Sequence, residues 1–203
     1  MRKLSILLSL ASFAIAQAAT DPPGRAARLS YINGTVSFQP GGVDDWVPAE
    51  VNRPMTTGDR LWTGGGSRAE MNLGSLAFRL SSRTNFTFVN LDDKTTQVQL
   101  SLGSLNVRLR RLAEDEAVEI DTPQVAFTLL RPGDYRIDVN ETGDATIVTV
   151  RGGDGEAGRK GAEENFEARA EDDEVREGQV GGLPHYPGQG TAGRCVEFLF
   201  HSS

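Results

Sequence analysis

Between Ala26 and Gly155 apolar and polar residues alternate along the chain, the period-two signature of strands with one buried and one solvated face. Leu29 and Tyr31 lead into Asn33-Gly34, and Val36 and Phe38 resume the alternation. Asn-Gly readily takes the positive backbone angles of a two-residue turn, so a first hairpin is expected here. Ala69, Met71 and Leu73 alternate with Arg68, Glu70 and Asn72; after Gly74-Ser75, Leu76, Phe78 and Leu80 alternate with Ala77, Arg79 and Ser81, which predicts a second hairpin. Phe86 and Phe88 mark a strand that ends in a turn at Asn90 to Asp93. Val98, Leu100 and Leu102, then Gly103-Ser104, then Leu105, Val107 and Leu109 predict a third hairpin turning at Gly103. Val118 and Ile120, then Val125, Phe127 and Leu129, then Tyr135, Ile137 and Val139, then Ile147 to Val150 continue the series. Their breaks are Thr122-Pro123, Arg131-Pro132-Gly133 and Glu141-Thr142-Gly143-Asp144.

About a dozen short strands at spacings of roughly 8 to 12 residues predict an all-β domain, either a sandwich or a stacked β-meander or solenoid of antiparallel hairpins. Gly58-Asp59-Arg60-Leu61 and Gly133-Asp134-Tyr135-Arg136 open two strands in related ways, a likeness too short to establish duplication.

The ends differ from this centre. Arg2 and Lys3, the apolar or small run Leu4 to Ile15 and Ala16-Gln17-Ala18 have the layout of a secretory signal over residues 1–18, cleaved near Ala18. The run is shorter than the roughly 20 apolar residues of a membrane span and is broken by Ser5, Ser9 and Ser12. No transmembrane anchor is therefore expected, and the localisation implied is periplasmic or secreted. The β domain is assigned to residues 26–155. Residues 156–203 read as a tail: Glu163 to Glu177 is dense in acidic side chains, residues 181–193 are rich in Gly and Pro, and no strand is predicted there.

Composition fits one domain: 203 residues, 38% hydrophobic and 24% charged, with a single cysteine, Cys195. An internal disulfide is excluded, so packing must stabilise the fold. A net charge of -7 disfavours a nucleic-acid partner, which needs cationic groups against phosphate. His185 and His201, the only histidines, fall in the tail, and no nucleophile–base constellation or phosphate-binding loop accompanies them. Asp138 to Asp144 has the outline of a calcium loop with the wrong ligand spacing, and a hairpin turn explains it. Neither a cofactor nor a metal is assigned, and a binding role is expected in place of catalysis.

Two sets of residues suggest binding. Asn106, Arg108 and Arg110 share one outward strand face, where guanidinium forks can meet carboxylate or phosphate; the simpler reading pairs them with Glu114, Asp115 or Glu116. Trp46 and Trp62 can form an aromatic platform for a sugar ring, although core packing is the more ordinary use of tryptophan.

Thr57-Gly58-Asp59-Arg60-Leu61-Trp62-Thr63, Gly66-Ser67-Arg68-Ala69-Glu70, Gly103-Ser104-Leu105-Asn106-Val107-Arg108, Thr122-Pro123 and Gly133-Asp134-Tyr135-Arg136-Ile137 resemble, in that order, elements of the FecR-domain family. The resemblance runs from about residue 26 to 153. It implies a β-rich envelope sensor domain. Members with a cytoplasmic N-terminal segment regulate a sigma factor; here a signal-like segment stands in its place, so the anti-sigma role is not carried over. The start Pro22-Pro23-Gly24-Arg25-Ala26-Ala27-Arg28-Leu29-Ser30-Tyr31 is closer to stand-alone exported members. The expected partner is an envelope protein or peptide bound to a sheet face or edge; the alternative is an envelope glycan or anionic lipid headgroup.

Overall fold

The computed structural model describes residues 24–159, 165–169 and 196–201, which form strands and contain no helix. The strands are β1 (Ala27–Asn33), β2 (Val36–Gln39), β3 (Val47–Pro48), β4 (Pro54–Met55), β5 (Arg60–Thr63), β6 (Arg68–Leu73), β7 (Leu76–Leu80) and β8 (Thr84–Leu91). They continue with β9 (Thr95–Leu109), β10 (Ala117–Asp121), β11 (Val125–Leu129), β12 (Gly133–Val139), β13 (Ala145–Val150), β14 (Asp154–Arg159), β15 (Asn165–Arg169) and β16 (Val196–His201).

Pairing sorts them into two sheets joined by a shared strand. Sheet A runs β4-β1-β6-β7-β9-β12-β13-β16, and sheet B runs β3-β2-β5-β8-β9-β10-β11-β14-β15. All pairs are antiparallel except β9 with β10. In both sheets the strand order closely follows the chain, so the polypeptide moves back and forth between two layers while advancing from one end to the other. The inward faces share one core. Phe78 of sheet A lies 5.7 Å from Phe86 and 6.0 Å from Phe88 of sheet B, ring centre to ring centre, and Tyr135 of sheet A lies 5.9 Å from Phe127 of sheet B. The all-β sandwich expected from alternation is thus present, with the sequential advance of a stacked meander.

Two of the three expected hairpins are different objects. Across Asn33-Gly34 the chain changes layer: β1 pairs with β4 and β6, whereas β2 pairs with β3 and β5. Gly34 does take the positive φ of +79° that such a turn needs, but the turn feeds a neighbouring sheet in place of a neighbouring strand. The chain does not reverse at Gly103 either, because β9 continues through it. Up to Leu102 β9 pairs with β8 and β10 in sheet B; from Gly103 onward it pairs with β7 and β12 in sheet A. The buried set changes from Thr96, Val98 and Leu100 to Leu105, Val107 and Leu109, a slip in phase that looks like a turn in the sequence. Gly103, at φ +93°, makes the bend. The hairpin of β6 and β7 around Gly74 forms as expected.

The boundary at residue 155 is also corrected. β14 spans it and pairs with β11 along its length, while β15 and β16 lie within the segment read as a strandless tail. The reason is visible at Gly155, which resembles a break but is required there: a Cβ would run into the Phe127 ring packed against its backbone. The proposed signal over residues 1–18 and most of the acidic segment lie outside the described residues.

Candidate interaction surface

With the core filled by apolar side chains, the two outward faces are what the fold presents, and their chemistry differs. On sheet A, one row of paired positions reads Arg28, Asn72, Ala77, Arg108 and Asp134, with the Arg151 amide bonded to the Asp134 carbonyl at 2.9 Å. The next row reads Glu70, Arg79, Asn106, Arg136 and Thr149. Arg68 and Asp138 extend it on the same side. Among the described side chains of this face, six arginines stand with the carboxylates Glu70, Asp134 and Asp138, in a chain whose net charge is -7; the backbone of Glu197 in β16 continues the second row opposite Thr149. The bases in these rows are arginines, whose planar fork suits carboxylate and phosphate better than lysine does.

Three ion pairs order this face. Arg136 is the best held, with Nε and Nη2 each donating to the Asp138 carboxylate at 2.7 Å and Nη2 reaching Ser104 Oγ at 3.3 Å. Ser104 Oγ in turn donates to Asp138. The Asp138 hydrogen bonds raise the Arg136 pKa against the opposing effect of burial. Arg79 meets Glu70 at 3.4 Å and Arg108 meets Asp134 at 3.7 Å. The sequence-based alternative for Arg108 is thus corrected: its partner comes from β12, not from Glu114, Asp115 or Glu116. Arg110 lies one residue beyond β9 with its amide bonded to the Ser75 carbonyl at 3.1 Å, and its side chain is exposed. A shallow basin of about 360 Å³ lies between these rows, lined by Arg79, Asn106, Asp134, Arg136, Arg151 and the β9–β12 backbone.

Sheet B carries little charge on its outward side from β5 to β9 and is acidic from β10 to β14. Trp62, Asn85, Thr87, Gln97 and Gln99 occupy the first part, with Arg60 at its end; Glu119, Asp121 and Glu156, the last in register with Thr128 and through it with Glu119, occupy the second. Gln97 Nε2 bridges Glu119 and Asp121 at 2.8 and 2.9 Å. Neither tryptophan packs in the core, which corrects the more ordinary expectation: Trp46 is 43% exposed and Trp62 is half-buried. Trp62 and Pro48 flank Ser37 across the strands, and Trp46 precedes Pro48 by two residues. Trp62 belongs to this face by strand alternation, and Trp46 lies in the exposed segment that leads into β3.

No family model matches the chain, and no curated protein matches it. Two solved structures of a candidate anti-sigma factor from Parabacteroides distasonis are similar in fold, each with a TM-score of 0.47, at 14% and 13% identity. Each alignment covers 54% of this chain and 50% of the neighbour's, so the chain matches half the length of those structures.

Two further basins flank the sandwich. One, of about 460 Å³, lies beside Phe38, Asn52 and Asp59, with the Arg53 guanidinium 3.9 Å above the Phe38 ring. Another, of about 530 Å³, lies between Gly66, Gly103 and the exposed Arg83–Glu141 pair at 2.6 Å. Among the described residues no group of three His, Cys, Asp or Glu side chains converges as a metal site would require. Sequence reasoning found Asn106 and Arg108 but missed Arg79, Arg136 and Arg151. Arg79 and Arg136 come from other strands and are brought alongside by the register of β7, β9 and β12, and Arg151, which follows β13, by the bond of its amide to the Asp134 carbonyl.

Proposed function

We propose that this protein is an exported, FecR-like interaction module of the bacterial cell envelope that binds a protein partner and carries out no catalysis. The observation that supports it is the arginine-bearing outward face of sheet A, ordered by ion pairs and opposed across the sandwich by a face that is neutral over β8 and acidic over β10 and β14. A flat sheet face can make broad contacts without an internal cavity, and complementary charge steers association and fixes register. The signal-like pattern of residues 1–18 and the ordered FecR-like elements support the compartment and the family.

A photoreactive residue placed at position 108 on sheet A, or at position 99 on sheet B, tests this in the producing cells. A discrete protein adduct from position 108 in the envelope fraction, with a mature N-terminus at Ala19, is expected. The absence of an adduct from either face, or a retained residue 1–18 segment on cytosolic protein, overturns the reading. A second reading, an envelope glycan binder, is favoured by the placement of Trp46 and Trp62 outside the core. Loss of glycan pull-down in Trp62→Ala with unchanged stability supports it, and an unaltered pull-down removes it.

A further inference from the structure

We infer that the basin on the outward face of sheet A is a carboxylate-binding seat, and that the partner docks there through an acidic protein segment. The inference rests on the reading of the protein as a protein-interaction module and adds the site and the chemistry of its partner.

Three guanidinium groups, from β7, from β12 and from the residue that follows β13, line one basin. Arg136 spends Nε and Nη2 on Asp138 and Ser104, so its Nη1 donors have no protein acceptor among the described residues. Arg79 contributes only Nε, at 3.4 Å, to Glu70. The exposed Arg151 side chain has no carboxylate partner among the described residues, nor has the Asn106 amide a side-chain hydrogen bond there. Arg136 is pre-positioned because Asp138 holds one edge of its guanidinium by two hydrogen bonds, leaving less side-chain freedom to lose on binding. Unused donors around a concave, partly covered site are what an oxyanion needs.

The surrounding acids decide between oxyanion sources. Asp134 lines the basin and Glu70 lies beside it, so fixed negative charges interrupt the arginines. A densely charged lipid or polyphosphate surface would meet these carboxylates as well as the arginines and be repelled by them. A peptide segment that places single Asp or Glu side chains between them avoids that repulsion. Asp134 is partly neutralised by Arg108 at 3.7 Å, which weakens its opposition to an incoming carboxylate.

The test uses the full chain and a synthetic glutamate-rich peptide, with binding followed by fluorescence anisotropy. Arg79→Gln and Arg151→Gln should each weaken binding by about three- to tenfold, the range expected for one partly exposed charge-assisted contact. Asp134→Asn should strengthen it, a change that a merely structural role would not produce. Arg60→Gln on sheet B should leave it unchanged, and thermal melts should show that all variants remain folded. Inorganic phosphate should compete only at far higher concentration than the peptide. Absence of peptide binding, or equal binding by wild type, Arg79→Gln and Arg151→Gln, overturns the seat. If the adduct from position 108 still forms in cells after that result, the interaction-module reading stands without it. Binding to phosphatidylglycerol vesicles in place of the peptide overturns the acidic-segment partner in favour of a membrane surface.

Discussion

Gly103→Ala separates the through-strand reading of β9 from a hairpin more sharply than any other change. At φ +93° an L-residue is strained by about 1–2 kcal/mol. A Cβ there would also sit 2.5 Å from the Arg83 carbonyl oxygen and 2.6 Å from Thr84 Cα, closer than any relaxed contact. Backbone atoms form that obstacle, so relief requires β8 and β9 to separate, at about 1–3 kcal/mol by analogy with overpacked cores. The Ser104 amide, bonded to Thr84 Oγ1 at 3.1 Å, would be drawn into the same shift. Alanine restricts the unfolded chain and returns about 0.4–1 kcal/mol, leaving a net loss of about 2–4 kcal/mol. Gly143→Ala is the control: φ is +71°, but nothing lies within 4 Å of its Cβ position, so only the backbone component applies. Urea unfolding followed by tryptophan fluorescence should show a lower midpoint for Gly103→Ala than for Gly143→Ala at unchanged slope, the product of shift and slope being about 1–3 kcal/mol. At the tip of a hairpin, as the alternation pattern alone suggested, the new methyl group would point into solvent and the two variants would match. Equal midpoints would therefore refute both the close approach and the passage of β9 between sheets.

Thr146→Val should cost about 1–3 kcal/mol, because the fully buried Thr146 hydroxyl donates to Gln124 Oε1 at 2.6 Å and its loss strands that acceptor; thermal unfolding measures it. Tyr135 governs alkaline sensitivity. Burial pushes its hydroxyl up to about 12, and the bonds it donates to the Arg131 and Asp154 carbonyls, at 2.5 and 2.9 Å, persist only while the proton is present. With the folded value above the unfolded value of about 10, its contribution is complete below pH 10 and is lost as the pH rises through about 12. Tyr135→Phe should accordingly be less stable at neutral pH but show a shallower loss of stability between pH 10 and 12, and a parallel alkaline decline in both proteins would contradict this.

Alternation was enough to place the longer strands of residues 26–150 and most of their inward side chains, because the two-residue period of an extended backbone is a local property; it did not show the short β3 and β4, nor the bulge after Leu29 that leaves Tyr31 exposed. Leu105, Val107 and Leu109 are buried and Arg108 is outward, as their positions in the sequence imply. The tertiary structure decided what alternation cannot express. A phase slip at Gly103 and an Asn-Gly turn at Asn33 look alike locally whether the chain reverses within a sheet or crosses to another, and only distant partners choose between these outcomes. Gly155 looked like an end until the Phe127 ring supplied a reason for a residue without a side chain. Asn106 and Arg108 were legible as an outward strip because they share one strand. Arg79, Arg136 and Arg151 joined them only through long-range backbone pairing, and Trp62 came beside Ser37 and Pro48 through the pairing of β2, β3 and β5. A single strand determines which side of a sheet a residue occupies; its neighbours across that sheet depend on long-range pairing.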